Sequence, residues 1–132
     1  MRIITFGTFD MFHVGHLNIL ERARAMGSSL VVGVSSDALN LEKKGRYPIC
    51  NQQDRMRILS ALSCVDEVFL EESLALKPDY IRQHQADCLV MGDDWAGKFD
   101  ELKRLCEVHY LPRTPAISTT ELIEVVRSVP QR

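Results

Sequence analysis

Strand and helix signals alternate along this chain from end to end, and few folds accept that order. Arg2–Phe6 is a short apolar run that stops at Gly7. Gly15–Met26 then places Leu17, Ile19, Leu20 and Ala23 near helical spacing, with Gly27 as a stop signal. Ser29–Ser35 (SLVVGVS) is β-branched and apolar on both faces, as a strand covered on both sides must be. Ser36–Asn51 carries Gly45, Pro48 and several charges and reads mostly as loop. Gln52–Leu62 puts Met56, Leu59 and Leu62 on one helical stripe, and Glu67–Leu70 is a short strand. Pro78 suits the first turn of a helix over Pro78–Gln85. Asp87–Met91 is another buried strand, Phe99–Leu105 is weakly helical, and Glu107–Leu111 is a fifth strand ended by Pro112. Ser118–Val126 closes the series as a helix, with Ser118 or Thr119 as its cap and Glu121 in its first turn.

This order predicts an α/β fold, a Rossmann-like doubly wound parallel five-stranded sheet with helices on both faces, forming one domain over residues 1–132. Ligands in such folds bind beyond the carboxyl ends of the strands, where the strand order switches. The unusual loops of this chain sit where that rule wants them. Gly7–His16 follows the first strand, Gly92–Lys98 the fourth and Arg113–Thr120 the fifth.

Composition excludes several classes of function. A net charge of −2 argues against a general nucleic-acid binder. No apolar run approaches the ~20 residues a membrane span needs, and the apolar start breaks at Gly7-Thr8, too early for a secretory signal. A cytoplasmic protein is expected. Cys50, Cys64, Cys88 and Cys106 have no short metal-binding spacing, and Cys64 and Cys88 read as small core residues.

The chemistry concentrates in Gly7-Thr8-Phe9-Asp10-Met11-Phe12-His13-Val14-Gly15-His16. A strand ends at its first glycine and a helix begins near Gly15, so backbone N–H groups and a positive helix end face the loop. His13 and His16 can both turn toward an anion there, and Gly15 lets a phosphate approach the backbone. Two imidazoles can donate hydrogen bonds as charge builds on a reacting phosphate. Taken alone, the pair also fits two surface histidines at a helix start; a metal site is disfavoured because no third ligand is near. Ser118, Thr119 and Thr120 open a second helix, and Arg113 can clamp phosphate bidentately. In isolation these residues equally fit a helix cap with a surface arginine. Lys43, Lys44, Arg46, Arg55 and Arg57 form a local basic excess. Such a run is commonly a solvated face, but two anionic substrates brought together would also require it.

The segment GTFDMFHVGH resembles the signature of the HxGH nucleotidyltransferases, which transfer a nucleoside monophosphate from an NTP to an acceptor. Arg113-Thr114-Pro115-Ala116-Ile117-Ser118-Thr119-Thr120 resembles the R-T-x-x-I-S-T-T segment of the cytidylyltransferase branch, and Met91–Phe99 is similar to a segment of the glycerol-3-phosphate cytidylyltransferases. The resemblance extends from Ile3 to about Val125. It implies transfer of CMP from CTP to glycerol 3-phosphate, giving CDP-glycerol and pyrophosphate for teichoic acid or related surface polymers. It implies nucleotide contacts from Thr8, Phe9, His13, Gly15, His16, Gly92, Asp94, Arg113, Ile117, Ser118, Thr119 and Thr120. His13, His16, Lys43 and Arg113 would carry the reaction, and Lys43, Lys77, Arg55 and Arg46 would face the acceptor, with Lys44 and Arg46 competing for one position. Asp94 would bind ribose or help hold Mg²⁺, Trp95 would shape a pocket, and Mg²⁺ would be bound through the nucleotide phosphates rather than by a protein metal site. A homodimer is the default expectation from the family. Three alternatives stay open: another acceptor such as phosphoethanolamine or a sugar phosphate, an adenylyltransferase of the same fold, and a nucleotide-binding module without turnover.

Overall fold

A computed structural model describes residues 1–114 and 118–128 of the chain. Its five strands are β1 (Arg2–Gly7), β2 (Ser29–Ser35), β3 (Glu67–Glu71), β4 (Cys88–Gly92) and β5 (Glu107–Leu111). All pair in parallel, in the order β3-β2-β1-β4-β5. The helices are α1 (Val14–Ala25), α2 (Asp37–Lys44), α3 (Gln52–Ser60), α4 (Lys77–Gln83) and α5 (Thr119–Ser128). The expected doubly wound α/β sheet is therefore what the chain forms.

The strands are apolar on both faces because both faces are covered. On one side Ile3, Leu30, Val32, Val34, Cys88 and Val90 pack with Leu20 and Ala23 of α1 and Leu59 of α3. On the other, Ile4, Phe6, Val31, Leu89 and Met91 pack with Ile81 of α4 and with Leu102. Adjacent residues such as Ile3 and Ile4 point to opposite faces, so each strand feeds both cores. Cys64 and Cys88 belong to the first of these cores, as small apolar side chains, and all four cysteines are free thiols.

The chain moves outward from β1 to β2 to β3, then returns to the other side of β1 to lay down β4 and β5. The switch point lies between β1 and β4, and the loops leaving their carboxyl ends diverge there to leave a crevice.

One expectation needs correction. Ser36–Asn51 is not mostly loop, because Asp37–Lys44 is a helix. The Ser36 side chain caps it by accepting the Leu39 N–H, Leu39 and Asn40 are buried, and Gly45 ends it at φ 74°. Its two buried residues were masked by the charges around them. The weakly helical stretch over Phe99–Leu105 takes the form of a 3₁₀ helix at Asp100–Arg104, anchored by buried Leu102. Further 3₁₀ turns occur at Leu74–Leu76 and Asp93–Trp95. At α5 the expected alternatives resolve to Ser118, whose hydroxyl accepts from the Glu121 N–H at 3.1 Å. No helix among the described residues is long and apolar enough to cross a membrane.

Candidate active site

A cleft of about 620 Å³ opens over the switch point, within the range of small-molecule sites. Its floor is the end of β1 and the loop that follows. That loop is strained: Phe9 and Met11 hold φ of 54° and 51°, a conformation that costs a non-glycine residue roughly 1–2 kcal/mol. Several bonds hold it. The Asp10 carboxylate accepts from the Ile49 and Cys50 N–H groups at 2.8 and 2.9 Å. Thr119 donates to the Asp10 carbonyl at 2.8 Å, and Thr8 donates to buried Asn40 at 3.0 Å. Phe9 is buried, with its ring edge-on to His16 at 5.5 Å.

The two histidines form a defined unit. His13 is the cap of α1; its Nδ1 accepts from the Gly15 N–H at 3.0 Å, while His16 Nδ1 accepts from the His13 N–H at 3.2 Å. The rings stack with centroids 3.8 Å apart. Because each Nδ1 takes a backbone proton donor, each neutral ring carries its own proton on Nε2. His13 Nε2 is buried and has no partner among the described residues. Both rings are held neutral at physiological pH. Burial, reinforced by Arg113, lowers the His13 pKa; burial, His13 and Arg113 bring His16 down to about 4 against a smaller opposing pull from Asp10. The result is a pair of uncharged N–H donors on a cleft wall.

Arg113, Thr114 and Ser118–Thr120 supply another part of the wall. Arg113 is half-exposed and lies 3.9 Å from Asp94. Asn18 donates to Thr114 at 3.0 Å and Arg22 to the Pro112 carbonyl at 2.9 Å, which ties the β5–α5 connection to α1. Ser118, Thr119 and Thr120 line the cleft at the start of α5. Gly92 joins β4 to the Asp93–Trp95 turn, where a Cβ would lie 2.6 Å from Asp94 Oδ1 and would displace that exposed carboxylate.

At the β2–β3 end of the cleft, α2 and α4 bring two lysines in. Lys43 donates to Ser35 Oγ at 3.0 Å. Lys77 is buried, paired with Glu71 and placed over the Phe6 and Phe99 rings. Burial lowers the pKa of both lysines, and Glu71 opposes that shift in both. Lys44 and Arg46 both line the cleft and are both exposed. Trp95 also lines it, packed on Phe99 with ring centroids 5.4 Å apart. In all, six cationic and four anionic described side chains form the walls, so the cleft favours anions although the chain is net negative.

Thus Thr8, Phe9, His13, Gly15, His16, Lys43, Arg46, Lys77, Gly92, Asp94, Arg113 and Ser118–Thr120 all line one cleft. Ile117 lies outside the described residues. Arg55 departs from expectation. It is 1% exposed and is not on the cleft wall. Its guanidinium bonds the carbonyls of Cys50, Thr8 and Ser35 and the carboxylate of Asp37. With four donors so engaged it supports the cleft from beneath instead of meeting an acceptor. Ser35, Asn40 and Glu71 are cleft residues that motif reading missed. Ser35 and Glu71 end strands, and that position at the carboxyl edge of the sheet was the available signal.

A parallel sheet with a cleft of small-molecule size at its switch point, walled by two N–H-donating histidines, an arginine and a hydroxyl-rich helix start, defines a domain built to handle nucleotide phosphates. The sequence profile of the family described as cytidylyltransferase-like matches residues 4–125, and the chain belongs to that family of nucleotidyltransferases. It is 47% identical over 121 residues to a glycerol-3-phosphate cytidylyltransferase of Bacillus spizizenii, covering 92% of this chain and 93% of that one. It is 43% identical over 123 residues to a glycerol-3-phosphate cytidylyltransferase of Staphylococcus aureus, with 92% and 91% covered. Among solved structures, a lipopolysaccharide core biosynthesis protein from Thermoplasma volcanium superposes with a TM-score of 0.74 at 24% identity, covering 86% of this chain and 98% of that one, which supports the fold.

Proposed function

We propose that the protein transfers CMP from CTP to glycerol 3-phosphate, forming CDP-glycerol and pyrophosphate. The observation that carries this reading is the gathering of two neutral histidines, each with its proton on Nε2, and two lysines around one cleft, from segments far apart in sequence. A triphosphate lies between the histidine wall and the Arg113 to Thr120 wall. The acceptor phosphate lies toward Lys43 and Lys77. An acceptor oxygen attacks the α-phosphorus in line, the P–O bond to pyrophosphate breaks, and pyrophosphate departs with its charge.

The nucleophile is already an anion at neutral pH, so the step needs no general base. The side chains then act by position and charge. His13 and His16 donate to the oxygens on which charge grows, and their neutrality suits a donor that never releases a proton. Arg113 neutralises the leaving phosphates. The lysines offset repulsion between two anionic substrates, a term that grows steeply where water is excluded.

Mg²⁺ fits this cleft as a phosphate-borne ion. Asp94 supplies an exposed carboxylate, while the Asp10 carboxylate is taken up by two backbone N–H groups. One side-chain oxygen suits a cation that keeps most of its shell as phosphate and water. When bound, the ion would neutralise phosphate charge. The same reading makes the protein a cytoplasmic enzyme working as a homodimer, with its product feeding teichoic acid or a related surface polymer.

Pyrophosphate release with Mg²⁺ tests the proposal, crossing CTP and ATP against glycerol 3-phosphate, phosphoethanolamine and sugar phosphates. Release with CTP plus glycerol 3-phosphate is expected. Release confined to ATP would overturn the nucleotide assignment, and release only with another acceptor would overturn glycerol 3-phosphate.

A further inference from the structure

Glu71 ends β3 with its side chain 1% exposed, yet it reaches the cleft wall. Its carboxylate is the centre of a short hydrogen-bonded chain. One oxygen takes Lys77 Nζ at 2.5 Å. The other accepts from Ser35 Oγ at 3.3 Å, and that hydroxyl accepts in turn from Lys43 Nζ at 3.0 Å. Ser35 and Glu71 are register partners on adjacent strands, so the sheet itself fixes the middle of the chain. The lysines arrive from two different helices, α2 and α4.

Stability alone does not account for this arrangement. A buried ion pair seldom stabilises more than apolar side chains of the same volume would. Two ammonium groups and one carboxylate instead leave a net charge of +1 with both carboxylate oxygens occupied. An ammonium has three donors, and Lys43 and Lys77 spend one each on this chain. The cleft therefore meets cations rather than a carboxylate.

We infer that Glu71 is a positioning residue for the acceptor, holding Lys43 and Lys77 apart at fixed points while balancing one of their charges. The inference rests on the reading that these lysines receive the acceptor phosphate. Without Glu71 the two ammonium groups face each other unbalanced in a half-dry site. Lys44 and Arg55 add to the repulsion at Lys43, while Lys77 faces Glu71 as its counter-charge. Both lysines would then lose protons at lower pH and drift from their places.

The test is steady-state kinetics of Glu71→Gln, Glu71→Asp and Lys77→Met beside the wild-type enzyme. Loss of a charged hydrogen bond predicts that Glu71→Gln lowers kcat/KM for glycerol 3-phosphate by roughly ten- to a hundredfold. KM for CTP stays unchanged, and the alkaline limb of the acceptor profile moves to lower pH. Glu71→Asp recovers part of the loss, because the charge remains and only reach is shortened. A purely structural role would lower the melting temperature without splitting acceptor from CTP or moving the limb. A folded Glu71→Gln with wild-type acceptor kinetics and an unmoved limb would overturn the inference. If Lys77→Met is impaired toward the acceptor while Glu71→Gln is not, this inference alone fails. If Lys77→Met is also unimpaired, the acceptor reading fails first. Should Glu71→Gln not fold, Ser35→Ala decides the matter. It cuts the link to Lys43 and keeps every charge, so a smaller loss in the same parameter supports the inference and wild-type acceptor kinetics overturn it.

Discussion

At the scale of single residues, the protonation of two imidazoles is the controlling fact. Backbone N–H groups at the start of α1 occupy both Nδ1 atoms, so each neutral ring presents an Nε2 proton, with no acidic partner needed to set the tautomer. Removing one such donor from a phosphoryl-transfer site costs about 10²–10³-fold in kcat. His16→Ala is expected to lose that much turnover, whereas its cap-type bond contributes only about 1 kcal/mol to folding. Near-normal turnover in a folded His16→Ala would contradict the donor role. The same burial has a consequence for stability. The His16 pKa lies at about 4 in the folded chain against 6.5 when exposed, so between those values the unfolded state binds more protons. Its contribution is complete above pH 6.5 and is lost as pH falls toward 4. Melting temperatures of wild type and His16→Gln should therefore converge on acidification across that window. Parallel curves would show that His16 titrates as an ordinary exposed histidine.

At the scale of elements, Arg55 shows how the cleft is held. One buried guanidinium from α3 reaches the β1 loop, the end of β2, the start of α2 and Cys50. A lysine cannot reproduce that fork. Arg55→Lys should destabilise by about 3 kcal/mol or more, as breaking a buried charged network does. It should also raise KM for both substrates together, since it loosens shared supports. Denaturant unfolding and the two KM values check this; a change in the acceptor KM alone, at full stability, would restore a direct acceptor contact.

The strands and α1, α3 and α4 were legible because apolar period and glycine or proline stops agree there. The helix over Asp37–Lys44 was not. With only Leu39 and Asn40 buried, it is short and polar, and its strongest signals are the flanking Ser36 and Gly45. Motifs located His13, His16, Lys43, Lys77 and Arg113 at the cleft. They did not reveal Glu71 or Ser35, whose roles arise from parallel register between two strands more than thirty positions apart.

At the scale of the whole molecule, the strand order produces the site. The chain leaves β1 in one direction and returns on its other side, which opens one crevice at the carboxyl edge. The loops after β1, β4 and β5 and the helices α2 and α4 all converge there, so segments separated by a hundred residues share one cleft. An acidic chain thereby concentrates cations in its cleft, as joining two phosphorylated substrates requires. The most direct measurement is a competition. The enzyme would be supplied with Mg²⁺, equal CTP and ATP, and equal glycerol 3-phosphate, phosphoethanolamine and sugar phosphates, and the products weighed by mass spectrometry. CDP-glycerol as the dominant new species is the predicted result; a dominant ADP-linked product, or a CDP product of a different acceptor, would contradict it.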